Sequence, residues 1–368
     1  MLYNESVQRV SLDRDREVPR RRKGAASTER LQTLGYRLVG YEPVSLRVER
    51  YNDNAHRDLW ERFIATSANG NLFQTRRFLE YHPAGRFQDH SILFCRDAEL
   101  IAVAAGEVTN SAWSSHRFTS HGGIAVKSQL SATEALDIVH ALISYASEHQ
   151  WQKLFMRYVP DLLAEDSFTT LVWALSIFGF AEDSRELTWC VMPAFCSEEE
   201  MLNAYHDSAR RAIKRAQNEN LVVRETSDFA GFWRLLTDNL KARFAVAPTH
   251  SLGEIARLRA LCPGEIRLHG VYNQQQRMLA GSLIFDVSRN GSHCFYFAQD
   301  YDFQDRRPMT LLMHRLNIEY TVQHRRKLNY GVITAHGASE LNLGLSRFKS
   351  QFGALPAIRR RFTWEGGR

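Results

Sequence analysis

The sequence predicts an α/β fold made of two copies of one structural unit. The chain has 368 residues and 44 % of them are hydrophobic, which is more than one core of typical size accommodates. Strand-like and helix-like segments also recur in the same order in both halves, at an offset of about 174–178 residues. Length and repetition together predict two domains of similar fold.

Each predicted element follows from its hydrophobic pattern. Short runs of β-branched and small apolar residues predict strands, and apolar positions with a helical period predict helices. In the first half these elements are strands over 91–95, 99–108 and 116–126, a helix over 133–150 and a strand over 153–159. In the second half they are strands over 266–272, 277–287 and 292–300, a helix over 308–324 with Pro308 in its first turn, and a strand over 327–333. Matching elements at nearly one offset predict the duplication of a single α/β unit.

The same pattern gives the domain boundaries. The first copy covers 44–196, the second covers 221–368, and a basic helix over 197–220 joins them. Residues 13–30 hold charges, serine and glycine with almost no apolar residue, so we predict that 1–43 forms a flexible basic arm.

Composition and charge limit the class of protein. The five cysteines include no C-x-x-C pair, so we predict neither a disulfide framework nor a metal site, and a reducing cytoplasm fits best. No apolar run reaches the roughly 18 residues that span a bilayer, so we predict no stable membrane insertion. The net charge of +6 weakly favours anionic partners such as nucleotides, phosphates or RNA.

The two halves match most closely at their ends, where RFKSQFG at 347–353 aligns with WALSIFG at 173–179. Phe352 and Gly353 therefore have counterparts in the first copy. A feature that both copies share is best explained by structure, so we predict that Phe352 docks the last helix on the sheet and that Gly353 forms its left-handed cap.

Two residues of this ending differ between the copies. Lys349 aligns with Leu175, and Phe348 aligns with Ala174. A lysine in the last turn of a helix gains about 0.3–1 kcal/mol from the helix dipole, which is a structural explanation for it. Because the lysine is confined to one copy, we favour a catalytic role for Lys349, supported by Phe348.

Three motifs give the chain a resemblance to a known family. FKSQFGA at 348–354 resembles the F-K-x-x-F-G ending of the Fem-type branch of the GNAT acyltransferase superfamily, NLFQTRRF at 71–78 resembles the start of its first domain, and RRAIKRA at 210–216 resembles its basic linker. The resemblance covers roughly 44–368. It implies two tandem GNAT-like domains, each a mixed, mostly antiparallel sheet flanked by helices. Characterised members transfer an amino acid from aminoacyl-tRNA to an amine of a cell-wall precursor, and the resemblance places Lys349 in the transfer site.

The sequence lacks a motif that binds coenzyme A, and this absence narrows the range of possible acyl donors. GNAT enzymes hold the coenzyme A pyrophosphate with a glycine-rich Q/R-x-x-G-x-G/A turn that starts the helix after the fourth strand. The corresponding stretches, KSQLSATEAL at 127–136 and DRRPMTLL at 305–312, contain no glycine. This counts against ordinary acetyl-CoA binding and is compatible with a tRNA donor. We expect no resident cofactor, with aminoacyl-tRNA or acyl-CoA as the co-substrate.

The residues predicted to bind substrate fall into two sets. Basic residues of the linker share one helical face at spacings of three and four, which predicts phosphate binding about as strongly as it predicts a solvated surface. Polar residues in the second copy are predicted to lie near the cleft where the fourth and fifth strands separate. The basic set is Arg211, Lys214 and Arg215, and the polar set is His250, Tyr296, Gln299, His336 and Glu340.

These observations predict an N-acyltransferase that forms an amide on a nucleotide- or lipid-linked cell-envelope precursor, most specifically a Fem-type aminoacyl transferase. An acyl-CoA-dependent transferase acting on an amino sugar of a surface polysaccharide is the enzymatic alternative, and a non-catalytic nucleic-acid-binding protein is the alternative from another class. Lys349 has an ordinary pKa near 10.4 and acts as a base only after substantial desolvation, so we predict an electrostatic role for it.

Overall fold

The computed structural model describes residues 38–83, 85–117, 119–335 and 340–366, and these residues form a four-stranded antiparallel sheet and a ten-stranded mixed sheet flanked by helices, with a small hairpin beside them. The predicted mixed, mostly antiparallel α/β fold is confirmed. Residues 1–37 of the predicted basic arm and His336 lie outside the described residues. The last part of that arm packs on the first half, because the Tyr41 hydroxyl donates to the Asp137 carboxylate at 2.9 Å.

The first half contains the predicted order of elements with one addition. A short hairpin interrupts the segment between the second and third predicted strands, and the third strand is shorter than the pattern predicts because the chain reverses through Gly123, which has a φ of +79°. The strands are β1 Arg47–Arg50, β2 Ile92–Arg96, β3 Glu99–Ala104, β4 Glu107–Thr109, β5 Ala112–Ser114, β6 Ile124–Val126, β7 Lys153–Arg157 and β8 Ala181–Val191. The helices are α1 Asp53–Thr66, α2 Arg76–Leu79, α3 Ala132–Glu148 and α4 Ser167–Ile177.

The second half repeats this order. Its strands are β9 Val222–Glu225, β10 Ile266–Tyr272, β11 Met278–Ser288, β12 Gly291–Gln299, β13 Lys327–Val332, the short pair β14 Thr334–Ala335 and β15 Glu340–Leu341, and β16 Leu355–Glu365. Its helices, numbered after the two linker helices α5 Glu198–Asn203 and α6 Asp207–Gln217, are α7 Phe229–Phe244, α8 Leu252–Leu261, α9 Pro308–Asn317 and α10 Leu343–Ser350. Pro308 occupies the first turn of α9, as predicted, and a π-helical turn over Ile318–Gln323 extends that helix.

The two halves exchange their last strands. The large sheet has the order β4-β5-β7-β16-β8-β13-β12-β11-β10-β9, and β1-β2-β3-β6 form the small sheet. Strand β16 therefore lies between β7 and β8, and β8 joins the second half by pairing with β13. One hydrophobic core also contains side chains from both halves, including Phe73 and Phe78 from the first and Phe232 and Phe285 from the second. The exchange ties the halves into one body, while the predicted domain boundaries stay a prediction.

The linker differs from the single helix that the sequence predicts. It consists of α5 and α6, separated by an extended residue, His206, whose backbone N–H donates to the Gln351 carbonyl at 3.0 Å. Tyr205 beside it is buried, and its ring contacts Phe352. The linker breaks because it packs against the end of α10.

Among the described residues, no helix is long and apolar enough to cross a membrane.

Candidate active site

The candidate site lies where two parallel strands of the second half separate. Strands β12 and β13 pair only from Gly291 to His293 on one strand and from Lys327 to Asn329 on the other. Beyond that point β12 stays with β11, and β13 pairs with β8. The last residues of β13 therefore face a gap in the sheet.

Lys349 fills one side of this gap from helix α10. Its side chain is only 2 % exposed, and Nζ donates to the Gly331 and Val332 carbonyl oxygens, both at 2.9 Å. These two carbonyls belong to the part of β13 that has parted from β12. No carboxylate pairs with Lys349 in the described part of the chain, so main-chain oxygens alone hold the amine in place.

Burial changes the chemistry of this lysine. Removing an ammonium from water disfavours the charged form, and this desolvation lowers the pKa of Lys349 to about 7. The desolvation that the sequence could not reveal is therefore present, and near neutral pH the charged and neutral forms coexist. A neutral amine held by two carbonyls keeps a lone pair, and an ammonium in the same place keeps a third N–H to donate.

The residues around Lys349 explain how it reaches this position. Gly331 has a φ of +77°, and a Cβ at that position would lie 3.8 Å from the lysine Nζ. Phe352 is fully buried and Gly353 has a φ of +67°, which confirms their predicted structural roles. The half-buried Phe348 ring contacts Phe352 edge-on at 5.3 Å, so the two aromatic side chains anchor the helix that carries the lysine.

In the first half the corresponding strands, β6 and β7, lie in different sheets, and side chains fill the space between them. Leu175, the counterpart of Lys349, is fully buried in the core. The Tyr158 ring occupies the space between β6 and β7, where its hydroxyl accepts from the Ile124 N–H at 3.3 Å, and a Cβ on Gly123 would overlap that ring. This asymmetry supports the hypothesis that only the second copy carries chemistry.

Cys294 lies next to Lys349, and by residue type alone its thiol would be a candidate nucleophile. Burial raises the pKa of its thiol to about 12, with the nearby lysine acting weakly in the opposite direction. The thiolate is the nucleophilic form, so the Cys294 side chain stays inert at neutral pH.

The basic face of the linker is exposed, as its spacing predicts. Arg211 and Lys214 project into solvent from α6, while Ile213 on the opposite face is buried. Arg215 lies 3.9 Å from the Asp305 carboxylate, so part of this charge is balanced locally. The first turn of α6 contacts the end of α10, because Ser208 donates to the Gln351 side chain at 3.0 Å. Substrate binding by this basic face stays a prediction.

His250 and Tyr296 lie in the core between the halves and not at the gap. Tyr296 bonds His250 Nδ1 at 2.7 Å, and Tyr81 from the first half bonds Nε2 at 3.2 Å. Burial lowers the pKa of His250 to about 4 and raises that of the Tyr296 phenol. Both ring nitrogens of His250 are hydrogen-bonded, so the bonds from Tyr81 to His250 and from His250 to Tyr296 join the two halves. Contact with substrate stays a prediction for His250 and for Tyr296.

Two further predicted residues, Gln299 and Glu340, lie at the ends of strands. Gln299 ends β12, where its N–H donates to the Asn239 side chain at 3.0 Å. Glu340 is exposed on β15, whose partner strand β14 follows β13 directly. Their substrate contacts also stay predictions.

The sequence interpretation missed His293, Asn329 and His121, which line the inner end of the gap. His293 bonds Asn329 at 2.9 Å, and the His121 and His293 rings meet edge-on at 5.5 Å. The sequence could have indicated His293 and Asn329 by their positions, because they lie in the fourth and fifth predicted strands of the second half, near the point where these strands separate.

One group of described residues has the composition of a metal site. Glu225, His269 and Glu319 place their ligand atoms within 4.8 Å of one another. Both Glu319 carboxylate oxygens lie 3.0 Å from His269 Nε2, so the geometry is already explained as a hydrogen-bonded pair. This cluster lies on β9, β10 and the π-helical turn, away from Lys349.

Neither helix start forms a glycine-rich phosphate turn. In the first half, Ser131 and Glu134 cap α3 reciprocally, so a carboxylate already occupies that end. In the second half, Arg307 in the left-handed conformation precedes Pro308, which has no N–H to offer. The absence of the usual pyrophosphate-binding turn is therefore a feature of the structure as well as of the sequence.

The fold, with its parted strands, is similar to that of several solved structures. The chain is similar to the crystal structure of FemX, with a TM-score of 0.63 and 14 % identity over 87 % of this chain and 97 % of FemX. It is also similar to L-PGS from Bacillus licheniformis, with a TM-score of 0.53 and 10 % identity over 90 % of this chain and 95 % of that one.

A third similar structure is the C-terminal domain of a protein from Agrobacterium fabrum assigned as a lysylphosphatidylglycerol synthetase. Its TM-score is 0.53, with 11 % identity over 86 % of this chain and 93 % of that domain. No protein-family model matches the sequence, and no curated protein matches it. Identities this low establish the shared fold, and the chemistry has to be argued from the site.

Proposed function

We propose that this protein is an N-acyltransferase whose reaction takes place at the gap between β12 and β13. The observation that carries the proposal is Lys349: a buried lysine without a carboxylate partner in the described residues, held by two carbonyls at the point where the strands part. Burying an amine in this way is costly for stability. A structural role in the last helical turn needs only an exposed cation, so the helix dipole does not account for this placement.

Acyl transfer to an amine makes few demands on a protein. The acceptor nitrogen attacks the acyl carbonyl carbon, a C–N bond forms, the bond to the leaving oxygen or sulfur breaks, and one proton moves from the nitrogen to the leaving atom. The transition state develops negative charge on the carbonyl oxygen. In its protonated form, Lys349 donates two N–H groups to Gly331 and Val332 and keeps one for that oxygen. Low solvent access strengthens this interaction.

The donor that we propose is an aminoacyl-tRNA, and the acceptor is an amine of a nucleotide- or lipid-linked cell-envelope precursor. Three features support this choice: the F-K-x-x-F-G ending at 348–353, the absence of a glycine-rich turn at 305–312, and the exposed basic face of α6 close to the end of α10. Protonated Lys349 and the basic face both suit a polyanionic ligand.

A competition binding experiment tests the donor. Charged tRNA, uncharged tRNA, acetyl-CoA and longer acyl-CoAs are titrated against the full-length protein at fixed salt, because binding to nucleic acid depends on salt concentration. We expect charged tRNA to bind more tightly than uncharged tRNA. Tight, saturable acyl-CoA binding with tRNA binding that ignores the aminoacyl group would instead identify the acyl-CoA-dependent transferase acting on an amino sugar. RNA binding that deletion of residues 1–40 abolishes, without transfer from any donor, would identify a nucleic-acid-binding protein.

A further inference from the structure

His293 is the last residue of β12 that pairs with β13, and its imidazole faces the gap. The residue is buried, with 9 % of its surface exposed. A Cβ placed on Gly331 would lie 3.4 Å from His293 Cε1 and 3.8 Å from Lys349 Nζ. The imidazole and the lysine amine therefore lie on either side of the space that Gly331 leaves open.

The hydrogen bonds of Asn329 assign the tautomer of His293. The Asn329 amide nitrogen donates to the Thr188 hydroxyl at 2.8 Å, and its oxygen accepts from the Gly331 N–H at 2.9 Å. That same oxygen lies 2.9 Å from His293 Nδ1. An oxygen accepts only from a donor, so Nδ1 carries the proton and Nε2 carries the lone pair.

Nothing in the described part of the chain bonds His293 Nε2. The charged and titratable groups that face the ring are the His121 imidazole from the loop before β6, the Lys349 amine from α10 and the Arg359 guanidinium from β16. Burial lowers the pKa of His293 to about 3, and the two cations act in the same direction. The ring is therefore neutral and oriented over the physiological pH range, with an unprotonated Nε2.

We propose that His293 Nε2 is the general base of the transfer reaction, accepting the proton of the acceptor amine, and that Asn329 is the positioning residue that holds it in the basic tautomer. This inference rests on the proposed N-acyltransferase function and assigns its proton path. The arrangement is a histidine oriented by an amide at one ring nitrogen, with its ring close to Gly331 and to the Lys349 amine.

The step balances without a further reactant. The acceptor nitrogen forms the C–N bond, and its N–H, made acidic by the positive charge that develops there, passes to His293 Nε2. Protonated Lys349 stabilises the oxyanion meanwhile. When the C–O or C–S bond of the donor breaks, the imidazolium returns the proton to the leaving oxygen or sulfur. The products are the amide and the free hydroxyl or thiol of the donor.

Substitution of the base tests the inference on the full-length protein. His293→Gln keeps a polar side chain of similar reach but cannot accept a proton, and we expect it to lower kcat by about 10²- to 10⁴-fold with donor affinity changed less than about threefold. The matched control is His269→Gln, which removes another buried histidine from the same sheet and should leave kcat unchanged. Added imidazole should restore part of the activity of His293→Ala.

The pH profile separates the base from the lysine. Because His293 is unprotonated across the working range, its loss should lower the rate without moving the limb near pH 7, which belongs to Lys349 and should vanish in Lys349→Met. A His293→Gln protein with kcat within threefold of wild type, beside an inactive Lys349→Met, overturns the role of His293 and leaves the proposed function standing. A wild-type protein that transfers no acyl group to any amine overturns both.

A spectroscopic readout applies even where a variant fails to fold. Long-range ¹H–¹⁵N spectra of the histidine-labelled wild-type protein report which ring nitrogen carries the proton. We expect an unprotonated Nε2 for His293 at pH 6–8, and a shift of this signal in Asn329→Ser. A proton on Nε2, or a doubly protonated ring in that pH range, contradicts the assignment.

Discussion

Lys349 Nζ lies 2.9 Å from the carbonyl oxygen of Val332, so the last helix of the chain reaches back to the strand at the point where that strand has left its parallel neighbour. The opposite copy has a leucine at the matching position and an aromatic ring in the matching gap. The two halves thus differ at this place: apolar and aromatic side chains fill the first, whereas the second holds a buried lysine.

Replacing Lys349 with methionine should abolish transfer and leave the protein folded. Methionine keeps most of the chain length but has no N–H for the developing oxyanion, and loss of one such donor costs about 10²- to 10³-fold in rate. The measurement is kcat with a saturating donor. Arg347→Met is the control, because Arg347 is an exposed cation in the same turn of the helix. Equal losses in both variants would assign Lys349 to the helix dipole.

The burial of Lys349 should also make the free energy of unfolding depend on pH. The pKa of Lys349 is near 7 when folded and 10.5 when unfolded, so between these values the unfolded chain binds more protons and the free energy of unfolding rises with pH. The slope from this group approaches about 1.4 kcal/mol per pH unit. Urea unfolding at pH 7.5 and 8.5 should show the wild type gaining stability relative to Lys349→Met. Parallel pH dependence of the two proteins would show that Lys349 is solvated.

Phe352→Ala should destabilise the fold by about 3–5 kcal/mol, the cost of a large-to-small change in a packed core. The Phe352 ring is fully buried and contacts Tyr205 of the linker and Phe348. Phe178→Ala is the matched variant in the first copy, where the ring is 2 % exposed. We expect similar losses in denaturant midpoint for both. A loss below about 1 kcal/mol for Phe352→Ala would contradict the shared structural role.

The exposed face of α6 should contribute to binding and not to chemistry. Replacing Arg211 and Lys214 together with alanine removes two solvent-facing charges, so we expect a rise of about 2- to 10-fold in KM for the anionic substrate at low salt. The kcat should stay within twofold, and the difference should shrink as salt is raised. Lys241→Ala, an exposed cation on α7, serves as the control. A change in KM that does not depend on salt, or no change in KM, would show that the basic face of α6 does not bind the anionic substrate.

The sequence predicted local structure well because hydrophobic period is a local property. Strand β10 occupies Ile266–Tyr272 as predicted, and Phe352 and Gly353 have the structural roles that the repeat predicts. The hydrophobic pattern did not predict which strands pair when they lie far apart in the chain. The exchange of β8 and β16 depends on strands far apart in the chain, and the break at His206 depends on a hydrogen bond to Gln351.

The site was predicted only in part for the same reason. Lys349 was found because one copy has a lysine that the other lacks. Its burial, which sets its pKa, arises from the packing of α10 on β13 and is not encoded in the local pattern. His250 was predicted from its position in a segment expected near the cleft, and the structure shows that two tyrosines bond its ring nitrogens. His293 belongs to a strand pattern that reads as core, so its role emerges only with Asn329 beside it.

The most direct test of acyl transfer uses a small amine that needs no dedicated acceptor pocket. Aminoacyl-tRNA, or in parallel an acyl-CoA, is mixed with hydroxylamine and wild-type protein, Lys349→Met or Arg347→Met, and formation of the hydroxamate is followed over time. The account predicts faster hydroxamate formation with wild type and with Arg347→Met than in buffer, and the buffer rate with Lys349→Met. Acceleration that persists in Lys349→Met, or its absence with wild type for both aminoacyl-tRNA and acyl-CoA donors, would contradict it.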